Sequence, residues 1–126
     1  MRSLQVRTSR KDQIVDITDE VQAQLEAAEG LCTVFAAHTT CALTTADLDP
    51  GTDQDYLEAL RKLLPAIRWR HPHDPAHTPD HVLATLIGPS VSVPVHDGRL
   101  ILGVWQRIIL VELDGPRERQ LWVSVR

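Results

Sequence analysis

Apolar and polar residues alternate along Leu4-Gln5-Val6 and again along Ile14-Val15-Asp16-Ile17, with a polar stretch from Thr8 to Asp12 between them. A period of two puts successive side chains on opposite faces of a strand, so these segments read as two strands of a hairpin. The period then lengthens. Val21, Leu25 and Ala28 fall on one face of a helix capped by Thr18 and stopped by Gly30. Asp19 and Glu20 lie in its first turn, where carboxylates suit the helix dipole. Leu31 to Ala37 is a short apolar run rich in strand formers, read as a central strand, with Cys41 to Thr45 as its partner across the His38-Thr39-Thr40 link.

Asp49-Pro50-Gly51 marks a turn, and Thr52 caps a second helix through Leu64 with Tyr56, Leu60 and Leu63 inward. Pro65 ends it. The stretch from His71 to Pro79 holds three prolines and three histidines and reads as loop. Thr78 then suits the cap and Pro79 the first position of a third helix, followed by Val82, Leu83, Leu86 and Ile87 and ended by Gly88-Pro89. Val91 to Val95 is a strand that Pro94 assigns to an edge or bulge. Asp97-Gly98 signals a hairpin. Arg99 to Leu102 and Trp105 to Leu113 form a long strand broken at Gly103, and Gln120 to Val125 is the last strand after a Gly115-Pro116 turn.

Seven or eight strands with short links and three helices give an α+β class, mostly antiparallel and sandwich-like, as a single domain over residues 1–126. Both faces of Trp105 to Leu113 are apolar. Three short helices offer little cover for such a sheet, which leads to an expectation of oligomerisation.

Composition narrows the function classes. The chain is 43% hydrophobic and 24% charged, as in ordinary globular proteins. A net charge of −4 exerts no global pull toward nucleic acid or an anionic membrane, and neither is expected as a partner. Lys11 and Lys62 are the only lysines; the other basic residues are arginines, whose planar forks suit a local phosphate or carboxylate site. No apolar run reaches membrane-spanning length and the first residues contain no apolar leader core, so a cytoplasmic location with reduced Cys32 and Cys41 is expected.

The candidate chemistry centres on His38, His71 and His81, each at a turn that interrupts apolar sequence. Imidazole both ligates metals and titrates near neutrality. His38 follows a strand and precedes Thr39 and Thr40, whose hydroxyls and amides can meet an anion; a plain surface histidine fits the same position. His71, His73, His77 and His81 form the densest cluster, equally compatible with a solvated loop. Asp47 and Asp49 bracket Leu48 and either hold a cation or organise a turn. Gln106 sits on an apolar strand face, where its amide satisfies the backbone or lines a pocket. Arg117 and Arg119 are phosphate contacts or the charges of a solvated edge strand. Cys41 beside His38 is a nucleophile or a small buried residue. No phosphate-binding glycine loop, dinucleotide fingerprint or serine elbow is present.

Taken in order, HTTCALTTADLDPGTDQDYL, WRHPHDPAHTPDHVLATLIGPSVSVPV and DGRLILGVWQRIILVELDGPRER resemble the YjbQ-like family, also called secondary thiamine-phosphate synthases. The resemblance runs over essentially the whole chain. It implies a β-rich α+β fold assembled as a homotrimer, with a site near subunit boundaries built on His38, His71 and His81. It further implies a divalent metal on those three histidines and a weak thiamine-phosphate synthase activity. This chain has Thr45-Ala46-Asp47 where many relatives carry an asparagine-glutamate pair, His77 where many carry asparagine, and Trp69 in place of tyrosine.

The resulting expectation is a transferase joining hydroxymethylpyrimidine diphosphate to thiazole phosphate, with His38, His81 and Asp47 catalytic. Thr39, Thr40, Gln106, Arg117 and Arg119 would bind the phosphorylated metabolite. The metal would be zinc at the imidazoles or magnesium with the diphosphate. The alternatives are a homotrimeric metal- or anion-binding module without turnover, and a phosphate-ester hydrolase using the same histidines.

Overall fold

The computed structural model describes residues 1–126. Eight strands and three α-helices follow in the order β1 (Arg2–Arg7), β2 (Gln13–Asp16), α1 (Thr18–Ala23), β3 (Gly30–Ala36), β4 (Cys41–Ala46), α2 (Thr52–Lys62), α3 (Thr78–Ile87), β5 (Ser90–His96), β6 (Arg99–Leu100), β7 (Arg107–Glu112) and β8 (Glu118–Val125). A short 3₁₀ turn, Pro75–His77, leads into α3. All strand pairs are antiparallel. They form a five-stranded sheet in the order β1-β8-β3-β5-β6 and a three-stranded sheet in the order β2-β7-β4. The α+β class read from the sequence holds.

The alternation of β7 explains the layering. Ile108 and Leu110 point toward the five-stranded sheet and pack with Val34, Val93, Leu121 and Val123. Ile109 and Val111 point the other way and pack with Ala42, Leu83 and Ala84 beneath the helices. Each fully buried aliphatic side chain contributes about 1.5–3 kcal/mol, so this strand anchors both cores. Both of its faces are covered within one chain, by the larger sheet and by α2 and α3. The apolar character of β7 is therefore no argument for a partner.

Several local expectations change. The segments Leu4–Val6 and Ile14–Ile17 do not pair: β1 joins β8 and β2 joins β7. β3 and β4 likewise enter different sheets, so the link carrying His38, Thr39 and Thr40 crosses from one layer to the other. Nearest-neighbour pairing failed in both cases because each strand's apolar face fits a different layer. The Asp97-Gly98 hairpin forms as read, with both residues at positive φ (50° and 74°), as a tight two-residue turn demands. The expected long strand does not form. β6 ends at Leu100 in the large sheet, and β7 begins at Arg107 in the small one. Trp105 lies outside any strand.

Helix starts also differ. Thr18 and Thr78 are the first helical residues rather than caps, with Ile17 and His77 preceding them. The Thr18 hydroxyl serves β7 instead, accepting from the Ile108 amide at 2.8 Å while donating to Asp16. Gly51, in the left-handed region at φ 88°, precedes α2 in the cap position, which Thr52 does not occupy. α1 stops at Ala23, well short of Gly30.

Candidate functional site

The inter-sheet core ends in a charged pair. β8 alternates Arg119, Leu121 and Val123 inward, while β7 turns Ile108, Leu110 and Glu112 toward them. Two apolar pairs thus give way to Arg119 and Glu112, whose side chains are 4% and 0% exposed. Arg119 Nε donates to Glu112 Oε2 at 2.8 Å, and its Nη2 donates to the other carboxylate oxygen. The same Nη2 reaches the Thr40 carbonyl (3.1 Å) and hydroxyl (2.9 Å). Glu112 also accepts from the Thr8 hydroxyl and from the amides of Leu113 and Asp114. Burial pushes its carboxyl pKa up, but the Arg119 hydrogen bond, the Asp114 amide, the Thr8 hydroxyl and the Arg119 charge together hold it below the ordinary value.

Arg119 Nη1 has no partner within the chain, is not closed off from the surface, and faces a polar cleft of about 420 Å³. His38, Thr39, Thr40, His77, His81, Asp114 and Arg117 complete its wall. Arg119 is therefore no edge-strand charge, because β8 lies between β1 and β3. Arg117 leans over the rim, 51% exposed, with Nε on the Asp114 carbonyl and Nη2 on the Asp114 carboxylate at 2.9 Å.

The β3–β4 link and the first turn of α3 present the histidines. His38 Nε2 is 3.0 Å from the Gln120 carbonyl, and His81 Nδ1 is 3.0 Å from the Thr39 carbonyl. A carbonyl only accepts, so those nitrogens carry the protons. In that tautomer His38 Nδ1 and His81 Nε2 are the ring atoms left without a backbone partner. Metal-ligating histidines are oriented in this way, with the second nitrogen donating to a backbone carbonyl. His38 and His81 line the same cleft. His71 stacks on His81 with ring centroids 5.1 Å apart, but its Nδ1 accepts from the Asp74 amide and no lone pair is offered. The ligating atoms of His38, His71 and His81 do not gather within 4.8 Å of one another. His71 is a neighbour of the expected centre, held by stacking.

Two expected site residues stand elsewhere. Asp47 and Gln106 line a separate cleft with Gly103, Val104 and Trp105. Gln106 Oε1 accepts from the Gly103 amide and its Nε2 donates to Thr45 Oγ1, so both ends of the amide hold the 103–106 turn. Asp47 accepts from the Asp49 amide, as a turn-organising aspartate does. Neither reaches His38 or His81 in this chain.

The sequence reading passed over Asp80 and Asp114. With His77 they bring ligand-type atoms within 4.8 Å of one another. Cations already hold these carboxylates: Asp80, 1% exposed, takes Arg61 (2.7 Å) and Lys11 (3.1 Å), and Asp114 takes Arg117. His77 lies against Asp74, Asp80 and Asp114. This is an ion-pair network that fixes α3 and α2 to the 113–114 turn, and no sequence spacing announced it.

Cys41 is the small buried residue rather than an exposed thiolate. Its thiol is buried beside the cleft, and burial, opposed by the Arg119 charge and aided by Glu112, pushes its pKa up to about 11.

Comparison with known proteins now bears on this geometry. The model of the family described as UPF0047 protein YjbQ-like matches residues 2–126. A UPF0047 protein of Archaeoglobus fulgidus is 41% identical over 122 residues, 96% of this chain and 97% of the relative. One from Mycobacterium tuberculosis is 44% identical over 119 residues, 90% of this chain and 89% of the relative. Among solved structures, a hypothetical protein of Aeropyrum pernix K1 superposes with a TM-score of 0.91 at 37% identity, covering 99% of this chain and 96% of that one. A YjbQ/UPF0047 family protein of Clostridium acetobutylicum gives 0.90 at 32% identity, with full coverage of both. The chain belongs to the YjbQ-like UPF0047 family.

Proposed function

We propose that this member of the YjbQ-like family binds the phosphate groups of a small metabolite in the His38–His81 cleft and acts as a thiamine-phosphate synthase-like transferase. One observation carries the reading: a buried guanidinium, fixed on three sides by Glu112 and Thr40, turns its remaining Nη1 into a polar cleft. A fixed, partly desolvated arginine loses little freedom when it takes up an anion, which favours phosphate over water. Thr39, Thr40 and the half-exposed Arg117 supply further donors to phosphate oxygens.

In the transfer, the bond between the pyrimidine's methylene carbon and the diphosphate oxygen breaks. The electron pair leaves with diphosphate, and the thiazole nitrogen forms the new carbon–nitrogen bond. No proton need be removed, so stabilisation of the leaving group's charge is the main requirement. Arg119 and Arg117 face that charge. His38 Nδ1 and His81 Nε2 would hold a divalent ion, which supplies Lewis-acid neutralisation of the diphosphate when bound.

Incubation of the protein with both thiamine precursors and magnesium tests this reading. Thiamine phosphate should form, and His38→Ala should lose at least tenfold. Equal product from His38→Ala would end the transferase reading. Pyrophosphate binding by calorimetry without product would favour an anion-binding module, and orthophosphate release would favour a hydrolase.

A homotrimer is part of the same proposal. Val104 and Trp105 are 88% and 71% exposed at the tip of a turn, beside the Asp47–Gln106 cleft. Adjacent large apolar side chains in solvent mark an interaction surface. Light scattering should give three times the 14.1 kDa chain mass, lowered in Trp105→Ser.

A further inference from the structure

The phosphate cleft has a neighbour. A second depression, of about 470 Å³, shares His38, Thr39 and His81 with it. Beyond those shared residues the two differ in chemistry. His77, Asp114, Arg117 and Arg119 line the first, so charge is concentrated there. Cys41, Ala84, Thr85 and Pro89 complete the second, and none of them is charged. Its floor is buried, with Cys41 1% and Ala84 7% exposed, while Thr85 and Pro89 form an exposed lip. The depression is therefore a half-covered shelf of small residues beside the cleft, not a void.

The helix that presents His81 sets the two in line. His77 precedes α3, and His81 and Thr85 follow at intervals of four, so the three lie along one flank. At about 1.5 Å per residue, Thr85 stands roughly 6 Å further along the axis than His81, on the side away from His77. Opposite the helix, the β3–β4 link gives His38 and Thr39 to both depressions.

We propose that this shelf is the subsite for the uncharged organic body of the metabolite whose phosphate the cleft holds, with Thr85 setting the size of that body. The proposal rests on the phosphate reading of the cleft and adds the direction in which the ligand lies. A group attached to a phosphate there has two ways to run along α3. Toward His77 it meets the carboxylates of Asp74, Asp80 and Asp114 and the cations that pair with them. An uncharged body at that end would strip water from ions and replace none of its hydrogen bonds. Toward Thr85 it crosses the His38 and His81 rings and rests on Cys41 and Ala84. Imidazole faces and small side chains offer a ring dispersion contacts without desolvating a guanidinium or carboxylate. A second anionic group would find no arginine or lysine on the shelf, so the ligand class is a phosphate ester charged at one end only.

Calorimetry on the intact protein with methylphosphonate, benzylphosphonate and benzyl alcohol tests this assignment. The two phosphonates resist hydrolysis and differ by one phenyl ring; the alcohol carries the ring without the anion. Benzylphosphonate should bind about tenfold tighter than methylphosphonate, as expected for covering roughly half of a ring, and the alcohol far more weakly than either. In methyl NMR, benzylphosphonate should shift Ala84 and Thr85, and methylphosphonate should leave them in place. Thr85→Trp, at an exposed helical position, should fill the shelf: the phenyl advantage disappears while methylphosphonate affinity stays within about twofold of the parent's. Leu86→Trp, at the adjacent exposed position outside both depressions, should keep the advantage. Should Thr85→Trp not fold, the NMR comparison decides alone. Equal affinity for the two phosphonates, unmoved Ala84 and Thr85 methyls, or a phenyl advantage that survives in folded Thr85→Trp or is lost in Leu86→Trp would overturn the subsite and leave the phosphate reading standing. Benzyl alcohol binding as tightly as benzylphosphonate would do the same. Binding of neither phosphonate would overturn both.

Discussion

Glu112 grips Arg119 with both carboxylate oxygens at the end of the inter-sheet core, and the arginine's one free amino group faces the cleft. The pair thus serves stability and recognition together. Removing one partner strands the other's charge. Glu112→Ala should destabilise the fold by about 3–5 kcal/mol in urea denaturation. The double replacement Glu112→Met/Arg119→Leu should be milder than that single change, because no unpaired charge remains, yet should lose pyrophosphate affinity in calorimetry.

The same pair predicts an acid limb of stability. The folded Glu112 carboxyl titrates below its ordinary value of 4.5, so the unfolded chain binds the proton more readily. Its contribution is complete above pH 4.5 and declines as pH falls through the folded value. Asp16 acts in the same direction: burial raises its pKa, but hydrogen bonds from Thr18 and Arg107 outweigh that. Thermal midpoints between pH 6 and pH 3 should fall steeply in the parent and less steeply in Glu112→Gln.

Cys41 should resist alkylation. With a thiol pKa near 11, its thiolate fraction at pH 8 is about one in a thousand, before burial is counted. Iodoacetamide should label Cys41 in the native protein far more slowly than after unfolding, as followed by mass spectrometry. Rapid native labelling would contradict the packing described.

Gly115 occupies a place with no room for a side chain. An added Cβ would collide with the Arg10 carbonyl oxygen and lie 2.9 Å from both Thr8 Oγ1 and Glu112 Cγ. Gly115→Ala should cost about 1–3 kcal/mol of stability by overpacking. It should also weaken pyrophosphate binding, because Glu112 holds Arg119 and Thr8 donates to Glu112. Unfolding and binding measured on one preparation would check both.

The sequence made the layers legible where the pattern was strong. The double-faced apolar run at Ile108–Val111 announced a strand covered on both sides, and Asp97-Gly98 announced its hairpin by backbone conformation alone. Strand partners were not legible. Ile14 could not reveal that its face suits Val111 rather than Leu4, because register is chosen by the third dimension. Among site residues, His38, Thr39, Thr40, His81, Arg117 and Arg119 converge as read, since all flank turns at one end of the sandwich. Asp47 and Gln106 went astray because polar residues in turns so often serve only the turn. Asp80 was hidden by its helix: nothing in TPDH tells that Arg61 and Lys11 arrive from distant segments.

The link from β3 to β4 spans two sheets instead of closing one hairpin, and its carbonyls are held by β8 on one side and α3 on the other. The mouth of the cleft is therefore a gauge of interlayer spacing. Thinning the sandwich at a remote point, by trimming Val34 or Leu121, would draw the imidazoles and the guanidinium out of alignment without touching any of them.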